Sequence, residues 1–384
     1  MRSTGKATQR SGDGEVFATF APYPLPPSEP PLDTDAIAAP LRLAEKGLAK
    51  LDVAGELVPS IDWFVYAFVR KEAVLSSQIE GTQATLMDLF EYEAEQNKGD
   101  DDVQEVCNYL DAIKYVRQQF NSAKGLPVSI RLLNEAHRRL MRGVRGANKQ
   151  PGEIRRSQNW IGGTRPGNAA FVPASPEELG GLLGSLEKYL HAESPLPPLV
   201  RIGLAHVQFE TIHPYLDGNG RIGRLLITLL LEHWRLLSAP LLYLSLHFKR
   251  HRAEYYRLLG EVRKSGEWEA WLVFFLEGVA SVAEEAVTDA REVYGLVSRD
   301  RQRLANAANA SVMAIRLMDQ LPIHPVITIA GVVKMLKTTK PTAGKAISAL
   351  ESLGILTETS GKLRDRTYAY SNYLKRLRVG TELK

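Results

Sequence analysis

Cysteine is all but missing from these 384 residues. Cys107 stands alone, which excludes an internal disulfide and any cysteine-built zinc centre, fits a reducing compartment, and leaves the thiol as core filling. Long apolar runs are also missing. The greasiest stretch, 225–231, falls far short of the roughly 20 residues that span a bilayer, and residues 1–16 contain no apolar segment of the signal-peptide kind. The expectation is a cytoplasmic protein, with no membrane partner. Zinc-type histidine spacing does not occur, and no internal repeat is apparent; His137, His206 and His233 read as satisfied structural histidines. Charge of one sign is scarce as well: 48 Lys and Arg against 44 Asp and Glu leave +4, and 44% hydrophobic content excludes disorder as the main state.

What is there is mostly helical pattern. Seven of the 21 prolines fall within 22–40, so residues 1–40 are expected to run as an extended Pro-rich arm. Residues 41–100 read as a helical segment: Ile61, Phe64, Val65, Phe68, Leu75 and Ile79 keep helical spacing, with Ser60 as N-cap and Gly81 as stop, and Thr82 is placed to cap a further helix through Leu86, Leu89 and Phe90. The polar run 97–102 marks a boundary. Within 101–290 the apolar stripes continue, interrupted at 157–173, where Trp160, Ile161, Phe171 and Val172 bracket glycine and proline turns and predict a short β-hairpin. Residues 199–212 are apolar nearly all round, as suits a central helix. A helical connector, 291–320, leads to 321–378, where helix, turn, helix and two strand-like runs around Gly361 suggest a winged helix. That last segment holds ten basic residues against three acidic ones, so it carries +7 and the remainder −3.

The sharpest constellation is His213-Pro-Tyr-Leu-Asp217-Gly218-Asn219-Gly220-Arg221-Ile-Gly-Arg224, between two apolar helices. Pro214 ends one helix and leaves His213 at its C-terminus, where an imidazole suits general-base work. Asp217 to Gly220 turn tightly enough to aim amides at the next helix N-terminus toward one point, which is how backbone binds phosphate. Arg221 and Arg224 share a helix face and can each fork onto phosphate oxygens. Asp217 can carry the hard cation that accompanies a polyphosphate.

This stretch resembles the Fic family motif, departing from it only in Tyr215 for the usual phenylalanine. The resemblance covers roughly residues 25–276. It implies a mainly α fold and a nucleotidyltransferase that moves AMP from ATP onto a hydroxyl of a protein, with the chain itself as one candidate target. His213 would be the base, Asp217 the Mg²⁺ ligand, Gly218, Asn219 and Gly220 the α-phosphate cradle, and Arg221 and Arg224 the contacts to the remaining phosphates. Ser76-Ser-Gln-Ile-Glu80-Gly81 looks like the inhibitory signature of one Fic class; Glu80 would then pair with Arg224 and block productive ATP binding. Asn159, Trp160 and Ile161 resemble the flap that holds a target segment. Tyr255 or Tyr256 is placed near the nucleotide.

Two other activities stay open on the sequence: removal of AMP by the same residues, and DNA binding through the basic winged helix, with Lys340 and Lys345 on phosphates and Lys362, Arg364 and Arg366 on the wing. The target protein and the oligomeric state, a homodimer included, are not legible.

Overall fold

The computed structural model describes residues 2–12, 14–56, 61–95, 100–120, 122–308, 310–362 and 364–383. Ser60, expected as an N-cap, and residues 97–99 of the expected boundary lie outside these.

Two strands open the chain, β1 (Gly5–Gly12) and β2 (Glu15–Pro22), followed by α1 (Thr34–Glu56), α2 (Ile61–Ile79), α3 (Leu86–Glu95), α4 (Asp101–Phe120), α5 (Ile130–Leu140), α6 (Leu179–His191), α7 (Pro198–Ile212) and α8 (Asn219–His233). Then come α9 (Ser245–Arg250), α10 (Arg252–Ser265), α11 (Trp268–Ala305), α12 (Val312–Gln320), β3 (Val326–Thr328), α13 (Ile329–Leu336), α14 (Lys340–Ser352), β4 (Thr357–Glu358), β5 (Thr367–Ala369) and α15 (Ser371–Leu377). The mainly helical expectation holds.

The chain divides into two compact units. The first comprises residues 1–49, 108–240 and 247–283. Its centre is α7, buried along almost its whole surface, which explains why its sequence shows no polar face. Helices α6, α8 and α10 and strand β2 pack on it. Trp271, fully buried on α11, stacks near His206 and Phe248 and donates from its indole nitrogen to the carbonyl of Gly203 (2.9 Å).

The expected N-terminal arm is corrected here: residues 5–22 pair as an antiparallel hairpin, Gly5 opposite Pro22 and Gly12 opposite Glu15. β1 reads GKATQRSG, with almost no apolar residue to alternate, so period 2 could not announce it. Nor does the arm extend to residue 40. Asp33 accepts from the amides of Asp35 and Ala36 and starts α1, and Pro40 sits inside that helix.

The second unit comprises residues 50–107, 241–246 and 284–384. It contains α2 and α3 together with α12 to α15 and a three-stranded antiparallel sheet in the order β3-β5-β4. Val326 pairs with Ala369 and Thr357 pairs with the same residue from the other side. The basic 321–378 segment therefore differs from its expected form at the start, where 326–328 is strand before α13 begins. The first unit resumes at residue 108, a few residues past the expected division at 100, and the helices before it share the second unit with the basic segment. Two long-range ties show how: the Tyr370 hydroxyl donates to Asp300 Oδ2 (2.8 Å), and the buried Lys71 meets Asp289 (3.0 Å).

Candidate functional site

In the first unit, the segment between α7 and α8 carries the candidate chemistry. Residue by residue, its conformation is locked by main-chain bonds from elsewhere in the same unit. His213 is the C-cap of α7 in the left-handed region (φ 51°, ψ 62°), a conformation that ends the helix and turns the chain. Its Nδ1 lies 3.4 Å from the Glu210 carbonyl, which can only accept, so this contact favours the tautomer with the proton on Nδ1 and leaves Nε2 as the basic nitrogen.

Two arginines hold the carbonyls at this helix end. Arg155, 1% exposed, donates from Nε to His213 O (3.0 Å) and from Nη2 to Ala174 O (2.5 Å), while its own amide donates to Pro214 O (2.9 Å). Burial pushes its guanidinium down to about 10. Arg263 of α10 donates from Nη2 to Glu210 O and from Nε to Thr211 Oγ1, both at 3.3 Å. Cations on the last carbonyls of a helix are favoured by its dipole. Neither is legible in the sequence, because an arginine held by carbonyls from distant segments leaves no spacing signal along the chain.

Tyr215 is buried, stacks on His137 with ring centroids 3.9 Å apart, and donates its hydroxyl to Asn134 Oδ1 (2.8 Å). The hydroxyl thus adds a tie that phenylalanine would lack. Asn219, expected to face phosphate, instead clamps Tyr215: its Oδ1 accepts from Tyr215 N (2.9 Å) and its Nδ2 donates to Tyr215 O (2.8 Å). Asn159, expected on the target side of the flap, also donates to Tyr215 O (2.9 Å). Both side chains shape the loop.

His137 completes the frame. Gly152 N donates to its Nδ1 (2.8 Å), so the ring proton sits on Nε2, which donates to Asp217 O (3.0 Å). Burial lowers its pKa to about 4, which keeps it neutral. His206 is set likewise: Nδ1 faces Gly223 O (3.0 Å), Nε2 accepts from the Tyr255 hydroxyl (2.8 Å), and burial lowers it to about 3. These two histidines are structural, as expected. Of the two tyrosines expected near the nucleotide, Tyr255 is buried, 1% exposed, and Tyr256 is exposed.

Gly218 caps α8 with φ 77°, and a Cβ there would lie 2.9 Å from Met141 Sδ, so the turn demands glycine. Beyond it, Asn219, Gly220 and Arg221 have no carbonyl four residues back within α8, the arrangement that receives anions. Arg221 and Arg224 are each only 2% exposed, deeper than a surface phosphate clamp, and Arg221 Nη2 lies 3.8 Å from Asp217 Oδ1. The Asp217 side chain is 41% exposed beside this helix start. No group of three or more His, Cys, Asp or Glu arranged for a metal exists among the described residues. One accessible carboxylate fits Mg²⁺, which takes one or two carboxylates with phosphate oxygens supplying the rest.

The expected flap hairpin reduces to one bridge, Ile161 and Phe171 exchanging both amide bonds (2.8 and 3.1 Å). Trp160 beside it is 38% exposed. The bridge is nonetheless anchored, because Phe20 N of β2 donates to Val172 O (3.0 Å).

Ser76, Glu80 and Gly81 belong to the second unit. Ser76 is buried in the last turns of α2, Glu80 follows its end half-buried, and Gly81 (φ 98°) closes it. Gly81 N donates to Gln78 O (3.1 Å) and Thr82 N to Ser77 O (3.2 Å), the paired bonds of a Schellman cap, so Gly81 stops the helix as expected. Thr82 does not cap α3. Its hydroxyl donates to the buried Glu105 (2.8 Å), and Thr85 with Asp88 starts α3 instead.

On the basic segment, Lys340 and Lys345 are exposed on α14, but Lys362 of the expected wing contacts Glu95 of α3 (3.5 Å) within the same unit.

Residues 39–118 match the Fic/DOC family N-terminal domain and residues 127–231 the Fic/DOC family domain. The first match contains Ser76 to Gly81 and the second His213 to Arg224. A protein adenylyltransferase Fic of Drosophila willistoni is 32% identical over 230 residues, 56% of this chain and 43% of that protein; the Drosophila erecta protein of that name is 32% identical over 164 residues, 42% and 30%. The chain spans less than half the length of these relatives. Among solved structures, a Fic family protein from Desulfovibrio desulfuricans G20 superposes with TM-score 0.58 at 20% identity, over 88% of this chain and 97% of that one. Fic-1 from C. elegans gives 0.51 at 22%, over 67% and 75%. No helix among the described residues is long and apolar enough to cross a membrane.

Proposed function

Over residues 39–118 and 127–231 the chain belongs to the Fic/DOC family, and from that premise we propose that it is a protein adenylyltransferase restrained by Glu80. The observation that carries this reading is the 213–221 loop, gripped by Arg155, Asn159 and His137 so that an imidazole and a helix start are held in one rigid turn.

In the proposed reaction a protein hydroxyl oxygen attacks the α-phosphorus of ATP. His213 takes the hydroxyl proton at Nε2, the new oxygen–phosphorus bond forms, and the bond to the bridging oxygen breaks to release pyrophosphate. The amides of Gly220 and Arg221, with the Arg221 and Arg224 guanidiniums, receive charge on the phosphates. Gly218 and Asn219 act by shaping that cradle. Asp217 would hold Mg²⁺, which supplies further neutralisation at the phosphates when bound. Trp160, next to the 161–171 bridge, would receive the target chain by strand addition, with Ile161 holding that edge through its two bonds to Phe171. Glu80 is proposed to engage Arg224 and withhold it from ATP.

The test is incubation of the purified chain with α-labelled ATP and Mg²⁺. Wild type should label itself faintly, Glu80→Gly strongly, and His213→Ala not at all; equal labelling of the three refutes the reading. A rise confined to release of label from a pre-modified protein would assign the site to AMP removal instead.

A further inference from the structure

Gln78 lies inside the Ser76-to-Gly81 string, one turn before the stop, yet its side chain leaves the helix. Its Nε2 donates to Ala84 O (2.9 Å) and to Thr381 O (2.8 Å), 303 residues away at the far end of the chain. One amide group therefore joins the end of α2, the segment leading to α3, and the tail that follows α15, all within the second unit.

Each partner is itself fixed. Thr381 is 1% exposed; its amide and its hydroxyl both donate to Arg378 O (2.8 and 2.7 Å), which curls the tail so that its own carbonyl meets Gln78. On the next helix, Glu95 of α3 accepts from the Thr367 hydroxyl of β5 (2.9 Å) and contacts Lys362 (3.5 Å). Helices α2 and α3 are in turn tied through Glu93, which accepts from Arg70 (2.6 Å) and from the Tyr66 hydroxyl (2.5 Å). The C-terminal segment thus grips the α2–α3 pair through the sheet on α3 and the tail on the last turn of α2. The tail's point of attachment is two residues from Glu80.

We propose that the C-terminal tail is a clamp on the inhibitory helix: the Gln78–Thr381 bond holds the Schellman end of α2 in place and thereby sets how firmly Glu80 restrains the enzyme. This rests on the reading of Glu80 as the restraint. A helix end is where backbone bonds fray first, because its last carbonyls lack partners within the helix. Gln78 is a positioning residue, acting through the turn that carries Glu80. A ligand or partner that displaced the tail would loosen that turn without touching the nucleotide site.

The test uses the full chain with Gln78→Met, which keeps the volume and removes both donations, and separately Thr381→Val, which loosens the curl of the tail from the other side by deleting one of its two bonds to Arg378 O. Two readouts are followed: hydrogen exchange of the amides of residues 80–82, and self-labelling with α-labelled ATP in chains carrying either Glu80 or Glu80→Gly. Both variants should speed exchange at those amides by about fivefold or more, the factor one lost hydrogen bond supplies. Both should raise labelling several-fold when Glu80 is present and leave it unchanged in the Glu80→Gly chain. Unchanged exchange, unchanged labelling in the Glu80 chain, or an equal change in both backgrounds would overturn the clamp while a strong Glu80→Gly signal kept the restraint itself. If Glu80→Gly raises nothing, the restraint falls and the clamp with it.

Discussion

At the scale of single residues, the candidate site is defined less by its chemical groups than by the side chains that hold their backbone. His213 is left-handed, a conformation a β-substituted residue adopts at some cost, and Arg155 fastens its carbonyl from a position 58 residues earlier. Replacing Arg155 with methionine keeps most of the volume but removes its donations to the His213 carbonyl and to the buried Ala174 carbonyl. The expected cost is about 3 kcal/mol, read from the urea midpoint. Self-labelling in the Glu80→Gly chain should fall more than the unfolded fraction accounts for, because the His213 turn relaxes while the rest of the unit stays folded. A variant with wild-type stability would show that the guanidinium is dispensable to the turn.

Among elements, the two helix ends do opposite jobs. The start of α8 presents amides that have no carbonyl four residues back within the helix, and Gly218 sets that start by taking a φ of 77° against Met141 and His137. The end of α2 is closed, with its carbonyls answered through Gly81 and Thr82. A Cβ at Gly81 would meet nothing within 4 Å, so Gly81→Ala carries only the backbone cost of φ 98°. That cost is about 1 kcal/mol, measurable by denaturant titration. Free space around the new methyl makes the experiment clean: a loss several times larger would mean that the cap supports more than its own turn.

For the whole molecule, acid stability follows from the buried histidines of the first unit. His137 and His206 are neutral in the folded state, lowered to about 4 and about 3, while in the unfolded chain each titrates near 6.5. The unfolded state therefore binds more protons below pH 6.5, and their contribution to stability, complete above that pH, is lost progressively as pH falls through the folded values. Urea midpoints should be level down to about pH 6.5 and then decline toward pH 4. A midpoint that stays flat from pH 7 to 5 would contradict neutral, buried imidazoles at these positions.

The sequence by itself determined the helical class, the C-terminal ends of α2 and α7, and the window from His213 to Arg224. These are local matters: a left-handed glycine, a proline after a helix and a periodic apolar stripe act over one or two turns and are legible where they stand. The tertiary structure alone decided which polar residues face the site and which build it. Asn219 and Asn159 turn inward to Tyr215, the buried Arg155 and Arg263 hold α7 from distant segments, and Gln78 reaches a tail 303 residues on. The reason is that a buried amide or guanidinium must find its partners wherever the fold brings a carbonyl within reach, and spacing along the chain carries no record of that meeting. The β1–β2 hairpin escaped for a related reason, since its pairing is read from a partner strand and not from any alternation of its own residues.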